Sequence, residues 1–309
     1  MQPKLSIRIP VYNQINLLIE CLNSLQIQTF KQFSIILIDD CSMTDYKSVI
    51  NKFPELNIEY IRNEKNLGAL QNMLNSLYLE SNEEYIMVMH EDDILHHTFL
   101  QNSLNLLEKS HDIAFSISTL SFFSDINSTN FEIIKQTNSI FCKNKNEFIY
   151  NILKGNAVGF GSVIYRKSKL KNVKFDFETY AEVGDRPFLS EICNNSGCII
   201  IPDNSYFARL PIGKDARWKK LNYRHLINLY LYYKKNLPKN LNKTDIKHIK
   251  ISFTHSFLEN YINLSKQNVF IFFKTMLILR SNKIISIKYL LLSFRLIRKF
   301  VEKIKPKSI

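Results

Sequence analysis

Two fully apolar segments that each end in acidic residues constrain the fold of this chain more than any other feature. Residues 33–38 (FSIILI) lead into Asp39 and Asp40, and residues 85–89 (YIMVM) lead through a histidine into the acidic residues 91–93. A strand without polar positions is covered on both faces, as in a parallel sheet packed between helices. Because ligands collect at the carboxyl ends of such strands, we expect the two acidic clusters to share one site.

Apolar runs alternate with helical spacings through the first 120 residues. Strands are predicted at 5–9, 33–38, 58–62, 85–89 and 113–119, and helices after Asn13 as N-cap and at 47–53, 68–80 and 98–109. This βαβα order predicts the α/β class, with a single mostly parallel sheet flanked by helices.

The pattern is weaker after residue 120. A helix is predicted at 144–154, with Asn144 and Glu147 at capping-box spacing, and another at 186–193. Strands are predicted at 162–166 and 198–201. From about residue 221 onward the chain has helical spacing, which predicts an α-helical C-terminal extension.

Charge divides the chain into two parts. The net charge is +13, yet residues 210–309 hold 22 Lys and Arg against 4 Asp and Glu, whereas residues 1–209 hold 19 against 24. We therefore predict an α/β domain over 1–215 and a basic helical region over 216–309. The basic region favours attachment to an anionic membrane surface, and the alternative is a helical subdomain packed on the α/β domain. No nucleic-acid-binding motif accompanies the charge, so nucleic acid is not an expected partner.

The sequence carries no secretory signal and no apolar run of about 18 residues, so we expect neither export nor a membrane-spanning helix. The five cysteines are odd in number and form no CxxC pair. They are expected to be reduced thiols in a cytoplasmic protein.

The acidic residues predict a cation site. Carboxylates crowded at one sheet edge repel each other unless a cation or a ligand rich in donors neutralises them. Oxygen ligands of this kind suit Mg²⁺ or Mn²⁺. The alternative is that each cluster caps a helix in an exposed loop. A further acid, Asp185, precedes a predicted helix, and Glu182 lies three residues upstream.

The opening of the chain resembles family 2 glycosyltransferases. The matching positions are Ser6, Pro10, Tyr12, Asn13, Leu22, Ser24, Gln28, Ile38, Asp39, Asp40, Ser42 and Asp45. The similarity continues through Asn66–Leu67–Gly68 and Tyr85–Ile86 to Glu91–Asp92–Asp93, and resumes more weakly at 159–189, so that it covers roughly residues 4–210.

This resemblance implies a glycosyltransferase A-type fold and a metal-dependent, inverting hexosyl- or N-acetylhexosaminyltransferase. The implied donor is a nucleotide-sugar, by family habit a UDP-sugar, with Mn²⁺ or Mg²⁺ as cofactor. The implied acceptor is a glycan or a lipid-linked sugar in the synthesis of a bacterial surface polysaccharide such as capsule, O-antigen or lipooligosaccharide. Such an enzyme would work in the cytoplasm, peripherally on the inner face of the cytoplasmic membrane.

The resemblance also assigns residues on the donor side. Pro10, Tyr12 and Asn13 would line the nucleotide pocket, Asp40 would bond the base, Asn66 would contact the nucleotide, and Asp92 would lie near the sugar or ribose. Asp93 would hold the metal, and Glu91 is a second candidate ligand. Tyr12 could instead pack in the core, and we interpret His90 as a strand-end residue rather than a ligand.

On the acceptor side, Asp185 would be the base, with Glu182 as the alternative and a helix N-cap as the plain structural reading of Asp185. Many relatives carry a histidine metal ligand where this chain has Pro211. Arg209, Lys214 or Arg217 could then offset the diphosphate charge.

Competing functions are distinguished by the loop after the first strand. A dinucleotide oxidoreductase would carry GxGxxG there, and a nucleotidyltransferase a glycine-rich, arginine-containing loop, whereas this chain has PVYNQ. A processive synthase would need spanning helices. The remaining alternative is a catalytically inactive nucleotide-sugar- or glycan-binding protein, against which the intact acidic residues argue.

Overall fold

A computed structural model describes residues 2–133, 138–170, 173–194, 196–210, 223–242 and 244–245. The strands are β1 (Leu5–Val11), β2 (Phe33–Asp39), β3 (Ile58–Arg62), β4 (Tyr85–Val88), β5 (Ile94–Leu95), β6 (Phe115–Phe123), β7 (Ile140–Cys142), β8 (Val158–Arg166) and β9 (Cys198–Arg209). The helices are α1 (Ile15–Gln26), α2 (Lys47–Ile50), α3 (Ala69–Tyr78), α4 (Phe99–Glu108), α5 (Lys145–Leu153), α6 (Phe177–Tyr180), α7 (Asp185–Cys193) and α8 (Tyr223–Asn236).

These strands form one sheet in the order β3-β2-β1-β4-β8-β6-β9-β5, with β7 paired to β9. The first four strands are parallel where they pair, as predicted. In the other half, β8 runs antiparallel to both β4 and β6, while β6 and β9 are parallel. The α/β class is confirmed, but the sheet is mixed rather than mostly parallel. An apolar run has the same composition in either direction, so the sequence pattern could not reveal the reversal of β8.

Alternating side chains of β1 face two different helix layers. Leu5, Ile7 and Ile9 are fully buried in a core that includes side chains of α1, α2 and α4. Arg8, on the opposite face, donates to carbonyl groups at the end of α3. A second core on this face includes side chains of α5, α7 and α8. The sheet therefore lies between two helical layers, and each fully buried Leu or Ile contributes roughly 1.5–3 kcal/mol to folding.

Asn144 caps α5 as the sequence predicted. Its Oδ1 accepts from the backbone N–H groups of Asn146 and Glu147, at 3.0 and 3.2 Å. The Glu147 carboxylate reaches back to the N–H of Lys143 at 2.8 Å. These bonds satisfy donors that a helix start leaves unpaired.

The helix α8 packs on the α/β domain. Leu229, Tyr230 and Tyr233 are buried in the same core as side chains of α5 and α7. The predicted boundary at residue 215 lies outside the described residues, as do the helices predicted after residue 245. Among the helices described, none is both long and apolar enough to cross a membrane.

All five cysteines are free thiols in the structure, consistent with the prediction. Cys193 and Cys198 approach to 3.4 Å between their Sγ atoms without forming a disulfide. Both are fully buried.

Candidate active site

The acidic segments after β2 and β4 meet at one edge of the sheet. Parallel pairing places Val11 at the end of β1 beside Asp39, and places Arg8 beside Val88 in β4. The chain leaves β4 directly into the segment from His90 to Asp93. The two clusters are thus separated by one strand, and the loop after β1 lies between them.

Asp40 connects the end of β2 to the start of α3. Its Oδ1 accepts from Leu67 N at 2.8 Å and from Asn63 Nδ2 at 3.0 Å, and its Oδ2 accepts from Gly68 N at 2.8 Å. The amide of Asn66 donates to the Asp40 carbonyl at 3.1 Å. Asp40 and Asn66, both predicted to contact nucleotide, are therefore in direct contact.

Asp39 faces β3 at the same edge. Tyr60 and Arg62 donate to its Oδ2 at 2.6 and 2.5 Å, and Ser42 N donates to its Oδ1 at 2.9 Å. Burial alone would raise the pKa of Asp39, but hydrogen bonds from Ser42, Tyr60 and Arg62 outweigh it and lower the pKa. The Arg62 side chain is 44% exposed, so this ion pair places a positive charge at the solvent-exposed side of the site. No role was predicted for Arg62 from the sequence. The only signal was its position at the carboxyl end of a predicted strand.

The loop after β1 is held by side-chain contacts. Asn13 was predicted to cap α1, but Gln14 is the N-cap residue, and Asn13 adopts a left-handed φ of 57°. Its Oδ1 accepts from Met43 N and Thr44 Oγ1 at 2.9 and 3.0 Å. Asparagine tolerates this conformation because its short side chain bonds locally. Tyr12 is 46% exposed, so it is not a core residue, and Pro10 is half-buried beside it.

Glu91 is directed toward this loop. Its Oε1 accepts from Tyr12 N at 2.9 Å, and its Oε2 accepts from the Tyr46 hydroxyl at 3.4 Å. Burial, reinforced by the charge of Asp92, raises the pKa of Glu91 to about 8 despite the Tyr12 amide. The Glu91 carboxyl therefore stabilises the conformation of the loop after β1.

The next acids form a candidate metal group with His90. One ligand atom from each of His90, Asp92 and Asp93 lies within 4.8 Å of the others. Ligands about 2.1 Å from a small divalent ion are at most about 4.2 Å apart, so a slight side-chain movement would accommodate one. The donor set of two carboxylates and one imidazole suits Mn²⁺ and, through its oxygens, Mg²⁺. The residues present therefore fit the implied ion. His90 belongs to this group, although sequence reasoning favoured a strand-end position for it.

Asp93 is buried and held by several donors. Tyr206 donates its hydroxyl to Asp93 Oδ2 at 2.5 Å, and Arg209 N donates to Oδ1 at 2.9 Å. The Nδ1 atom of His90 lies 3.0 Å from the same Oδ2. Tyr206 was missed by sequence reasoning because nothing in β9 marks it as different from other buried aromatic residues.

Arg209 lies at the end of β9, two residues before Pro211. Its guanidinium pairs with Glu20 of α1, donates to the Asp92 carbonyl at 2.9 Å, and stacks 4.4 Å from the ring centre of Phe123. Its charge is thus engaged by Glu20, which argues against the idea that it offsets a diphosphate. Lys214 and Arg217 lie outside the described residues.

Asp185 is the first residue of α7. Burial raises the pKa of Asp185, although the charges of Arg186 and His90 oppose the increase. Glu182 belongs to a short 3-10 helix just before α7, and its side chain lies outside the described part. The predicted role of Asp185 or Glu182 as the base therefore stays a prediction.

A family comparison matches this half of the chain. The model of glycosyl transferase family 2 matches residues 6–172, which include β1, β2, β4 and both acidic segments. The chain belongs to glycosyl transferase family 2.

Sequence relatives within this family match only in part. A Rickettsia felis protein described as an uncharacterized glycosyltransferase is 32% identical over 118 residues, covering 36% of this chain and 18% of that protein. The poly(ribitol-phosphate) β-N-acetylglucosaminyltransferase TarS of Staphylococcus aureus is 26% identical over 111 residues, covering 35% of this chain and 19% of TarS. The matched segment therefore spans less than a fifth of these curated relatives.

Solved structures of similar proteins share the fold. A structure of Staphylococcus aureus TarS in complex with UDP-GlcNAc superposes with a TM-score of 0.56 at 18% identity, covering 86% of this chain and 75% of that one. The mannosyltransferase PcManGT of Pyrobaculum calidifontis, in complex with GDP-Man and Mn²⁺, gives a TM-score of 0.55 at 14% identity, covering 100% of this chain and 89% of that one. At these identities the likeness establishes the fold alone.

Proposed function

We propose that this family 2 chain is an inverting glycosyltransferase. It transfers one hexosyl or N-acetylhexosaminyl unit from a nucleotide-sugar, by preference a UDP-sugar, to a glycan or lipid-linked acceptor. The observation that carries the proposal is that the acidic segments after β2 and β4 meet at the carboxyl edge of the parallel strands, where one ligand atom from each of His90, Asp92 and Asp93 lies within 4.8 Å of the others. TarS, whose structure contains UDP-GlcNAc, shares the fold and supports a UDP-sugar donor.

The donor would bind along the edge formed by β1, β2 and β4. Tyr12 offers an exposed ring beside Pro10, and Asn13 shapes the loop that carries it. Asp40 and Asn66 lie in contact on the other side, where the nucleotide base would lie. Both Asp40 oxygens already accept hydrogen bonds, so its contact with a base would use their remaining lone pairs. Asp92 would face the sugar or ribose.

Asp93 is the principal ligand we propose for Mn²⁺ or Mg²⁺, with His90 and Asp92 close enough to share it. Bound there, such an ion supplies Lewis-acid stabilisation of the negative charge that develops on the departing diphosphate. Glu91, the second candidate, is engaged by Tyr12 and Tyr46, so we assign it to the loop instead.

Asp185 is the proposed base, and Glu182 is the alternative. A base must accept a proton from the acceptor hydroxyl at about 3 Å, and a carboxylate with a raised pKa does so more effectively at neutral pH. Attack on the face of the sugar opposite the diphosphate inverts the anomeric carbon, by the logic of inverting hydrolysis with an acceptor in place of water. Asp185 is also the first residue of α7. A carboxylate is favourable there because it interacts with the positive end of the helix dipole.

The proposed setting is the synthesis of a surface polysaccharide such as capsule, O-antigen or lipooligosaccharide. The chain would work in the cytoplasm, held on the inner face of the membrane by its basic region. The name of TarS, poly(ribitol-phosphate) β-N-acetylglucosaminyltransferase, is consistent with a polymeric acceptor.

The test is transfer from a panel of nucleotide-sugars with Mn²⁺, after a thermal-shift screen for binding. Asp185→Asn should retain donor binding and lower turnover by about 10²–10⁴-fold, since the base is lost. Glu178→Gln, an exposed acid on α6, is the control and should turn over normally.

Two other outcomes are informative. If Glu182→Gln stops turnover and Asp185→Asn does not, Glu182 is the base. If the wild type binds a nucleotide-sugar and neither transfers nor hydrolyses it, the chain is a binding protein and the proposal is wrong.

A further inference from the structure

The orientation of the Asp93 carboxylate depends on a hydrogen bond from strand β9. The Tyr206 hydroxyl on β9 reaches Asp93 Oδ2 at 2.5 Å, and both side chains are almost completely buried. An O–H···O⁻ bond of this length is charge-assisted and belongs to the stronger class of hydrogen bonds. Tyr206 therefore constrains the orientation of the carboxylate directly.

The opposite oxygen of Asp93 is held by the same strand. Arg209, three residues after Tyr206, donates its backbone N–H to Asp93 Oδ1. Strand β5, which begins immediately after Asp93, pairs with β9 through Leu95 and Tyr206. Backbone and side-chain contacts from β9 thus fix the position of Asp93 at both oxygens.

Gly161 on β8 leaves the space that the Tyr206 hydroxyl occupies. A Cβ atom at residue 161 would lie 2.2 Å from the Tyr206 hydroxyl oxygen, 2.9 Å from its Cζ and 3.5 Å from His90 Nδ1. Contacts below 3.0 Å do not occur for real Cβ atoms, so the tyrosine would have to move. Because Tyr206 packs edge-on against Phe99 at 6.0 Å and is 1% exposed, its ring has little room to do so.

We propose that Gly161 and Tyr206 form a positioning pair for Asp93. The missing side chain at residue 161 allows the Tyr206 hydroxyl to hold Asp93 Oδ2, and this contact presets the carboxylate within the candidate metal group. Neither residue touches the reacting atoms. The inference rests on the proposed function, since it concerns the ligand geometry of the donor site.

Groups that orient a metal ligand typically change metal affinity or activity by 10–100-fold when they are mutated. Gly161→Ala and Tyr206→Phe should therefore each weaken Mn²⁺ binding by about 10-fold or more. They should raise the KM for the nucleotide-sugar more than they lower kcat, because Asp185 is unchanged.

Gly159→Ala is the matched control on the same strand. Its Cβ would lie 2.9 Å from Leu120 Cδ1, which is the far end of a flexible side chain that can shift. Residues 159 and 161 point to the same face of β8, so the two variants add the same methyl group to the same side of the strand. Gly159→Ala should bind Mn²⁺ like the wild type.

A double-mutant cycle separates positioning from simple damage. In Tyr206→Phe the severe 2.2 Å contact with the hydroxyl oxygen is absent, and the ring, no longer tethered to Asp93, can shift to relieve the remaining 2.9 Å contact at Cζ. Gly161→Ala should therefore weaken Mn²⁺ binding by less than about 3-fold in that background, against about 10-fold in the wild type. Equal losses in both backgrounds, measured by isothermal titration with Mn²⁺ alone, would show that Gly161 does not act through Tyr206.

The remaining outcomes are distinct. If Gly161→Ala fails to fold, Tyr206→Phe still tests the hydroxyl, and unchanged Mn²⁺ affinity in that variant overturns the pair. If the wild type itself binds neither Mn²⁺ nor a nucleotide-sugar, the proposed function fails and this inference fails with it. If the wild type binds both and the variants bind equally well, only the positioning pair is refuted.

Discussion

At the scale of single residues, Asp203 on β9 is a buried carboxylate outside the proposed chemistry. Its Oδ1 accepts from the backbone N–H and the hydroxyl of Ser205, at 3.1 and 2.8 Å. Its Oδ2 has no hydrogen-bond donor among the residues that the structure describes. Burial raises the pKa of Asp203, and the bonds from Ser205 only partly oppose the increase. An ionised carboxylate in this position destabilises the fold.

Asp203→Asn should therefore stabilise the protein at pH 7. Because the folded pKa is raised, the folded state retains a proton that the unfolded chain has already released, and stability falls as pH rises through that window. Asparagine does not ionise, so the variant does not lose stability in this pH range. Its free energy of unfolding should exceed that of the wild type by on the order of 1 kcal/mol at pH 7, and the difference should shrink as pH approaches 4. Urea unfolding at a series of pH values measures it.

The control for Asp203 is Asp112→Asn, an exposed acid just before β6. Its unfolding free energy should follow that of the wild type at every pH. A constant difference between Asp203→Asn and the wild type from pH 4 to pH 8 would contradict the explanation, because a packing change does not depend on proton binding.

The residues after β4 illustrate what a sequence can and cannot predict about a site. Spacing predicted that acids 91–93 would meet Asp39 and Asp40 at one edge, and the structure brings these segments together. Spacing could not predict which carboxylate would face a cation. Glu91 points to Tyr12 and Tyr46, whereas His90 joins Asp92 and Asp93, because side-chain direction in a short turn depends on partners from distant segments.

At the scale of secondary-structure elements, two buried arginines close the ends of helices. Arg8 on β1 donates to the Ser76 and Leu77 carbonyls at the end of α3, at 2.8 and 2.9 Å. Arg166 on β8 donates to the Leu107 and Ser110 carbonyls at the end of α4, at 2.7 and 3.1 Å. The last carbonyls of a helix lack partners within the helix and carry partial negative charge, so a cation stabilises them.

Arg8→Met should destabilise the fold while keeping most of the buried volume. Burial lowers the pKa of Arg8 to about 10, so it remains charged at neutral pH and its bonds to the carbonyls are charge-assisted. Their loss removes the Arg8 donor from the Leu77 carbonyl and leaves the Ser76 carbonyl with only the Leu79 N–H, at 3.4 Å, which should cost about 2–4 kcal/mol. Chemical unfolding measures the loss, and Lys4→Met, which removes an exposed ion pair at the start of the same strand, should have little effect. Equal stability of Arg8→Met and the wild type would mean that the helix end is satisfied in another way.

Most strands and helices in the first 120 residues could be predicted closely, and those after them less so. The strand predicted at 58–62 matches β3 residue for residue, because its isoleucines and tyrosine favour a strand. The strand predicted at 198–201 continues in the structure to Arg209, and β5 and β7 were missed. These strands exist through pairing with β9, which is a long-range contact that no local periodicity encodes.

At the scale of the whole molecule, the helix α8 packs on the α/β domain. Its residues Leu229, Tyr230 and Tyr233 are buried in the core beneath α5 and α7, and Tyr232 donates to Glu191 of α7 at 2.7 Å. A chain that ends at residue 215 would expose this core, since it lacks α8. We therefore expect that truncation to be insoluble, whereas a chain that ends at residue 245 should fold with a cooperative thermal transition. Cooperative folding of the chain that ends at residue 215 would support the domain boundary predicted there.

The basic region is the part of the chain that we propose attaches to a membrane surface. Residues 210–309 carry 22 Lys and Arg against 4 Asp and Glu, and each cation near an anionic surface contributes about 1 kcal/mol to binding. The full chain should therefore sediment with vesicles that contain anionic lipid at low salt, and dissociate from them as salt screens the attraction.

Replacing Lys303, Lys305 and Lys307 with Gln removes three charges, so affinity for these vesicles should fall by about 100-fold. The matched control replaces Lys52, Lys65 and Lys109, three exposed residues of the α/β domain, and should bind as before. Equal weakening in both triple variants would mean that only net charge matters, whereas no binding by the full chain at low salt would favour a basic region that packs on the α/β domain.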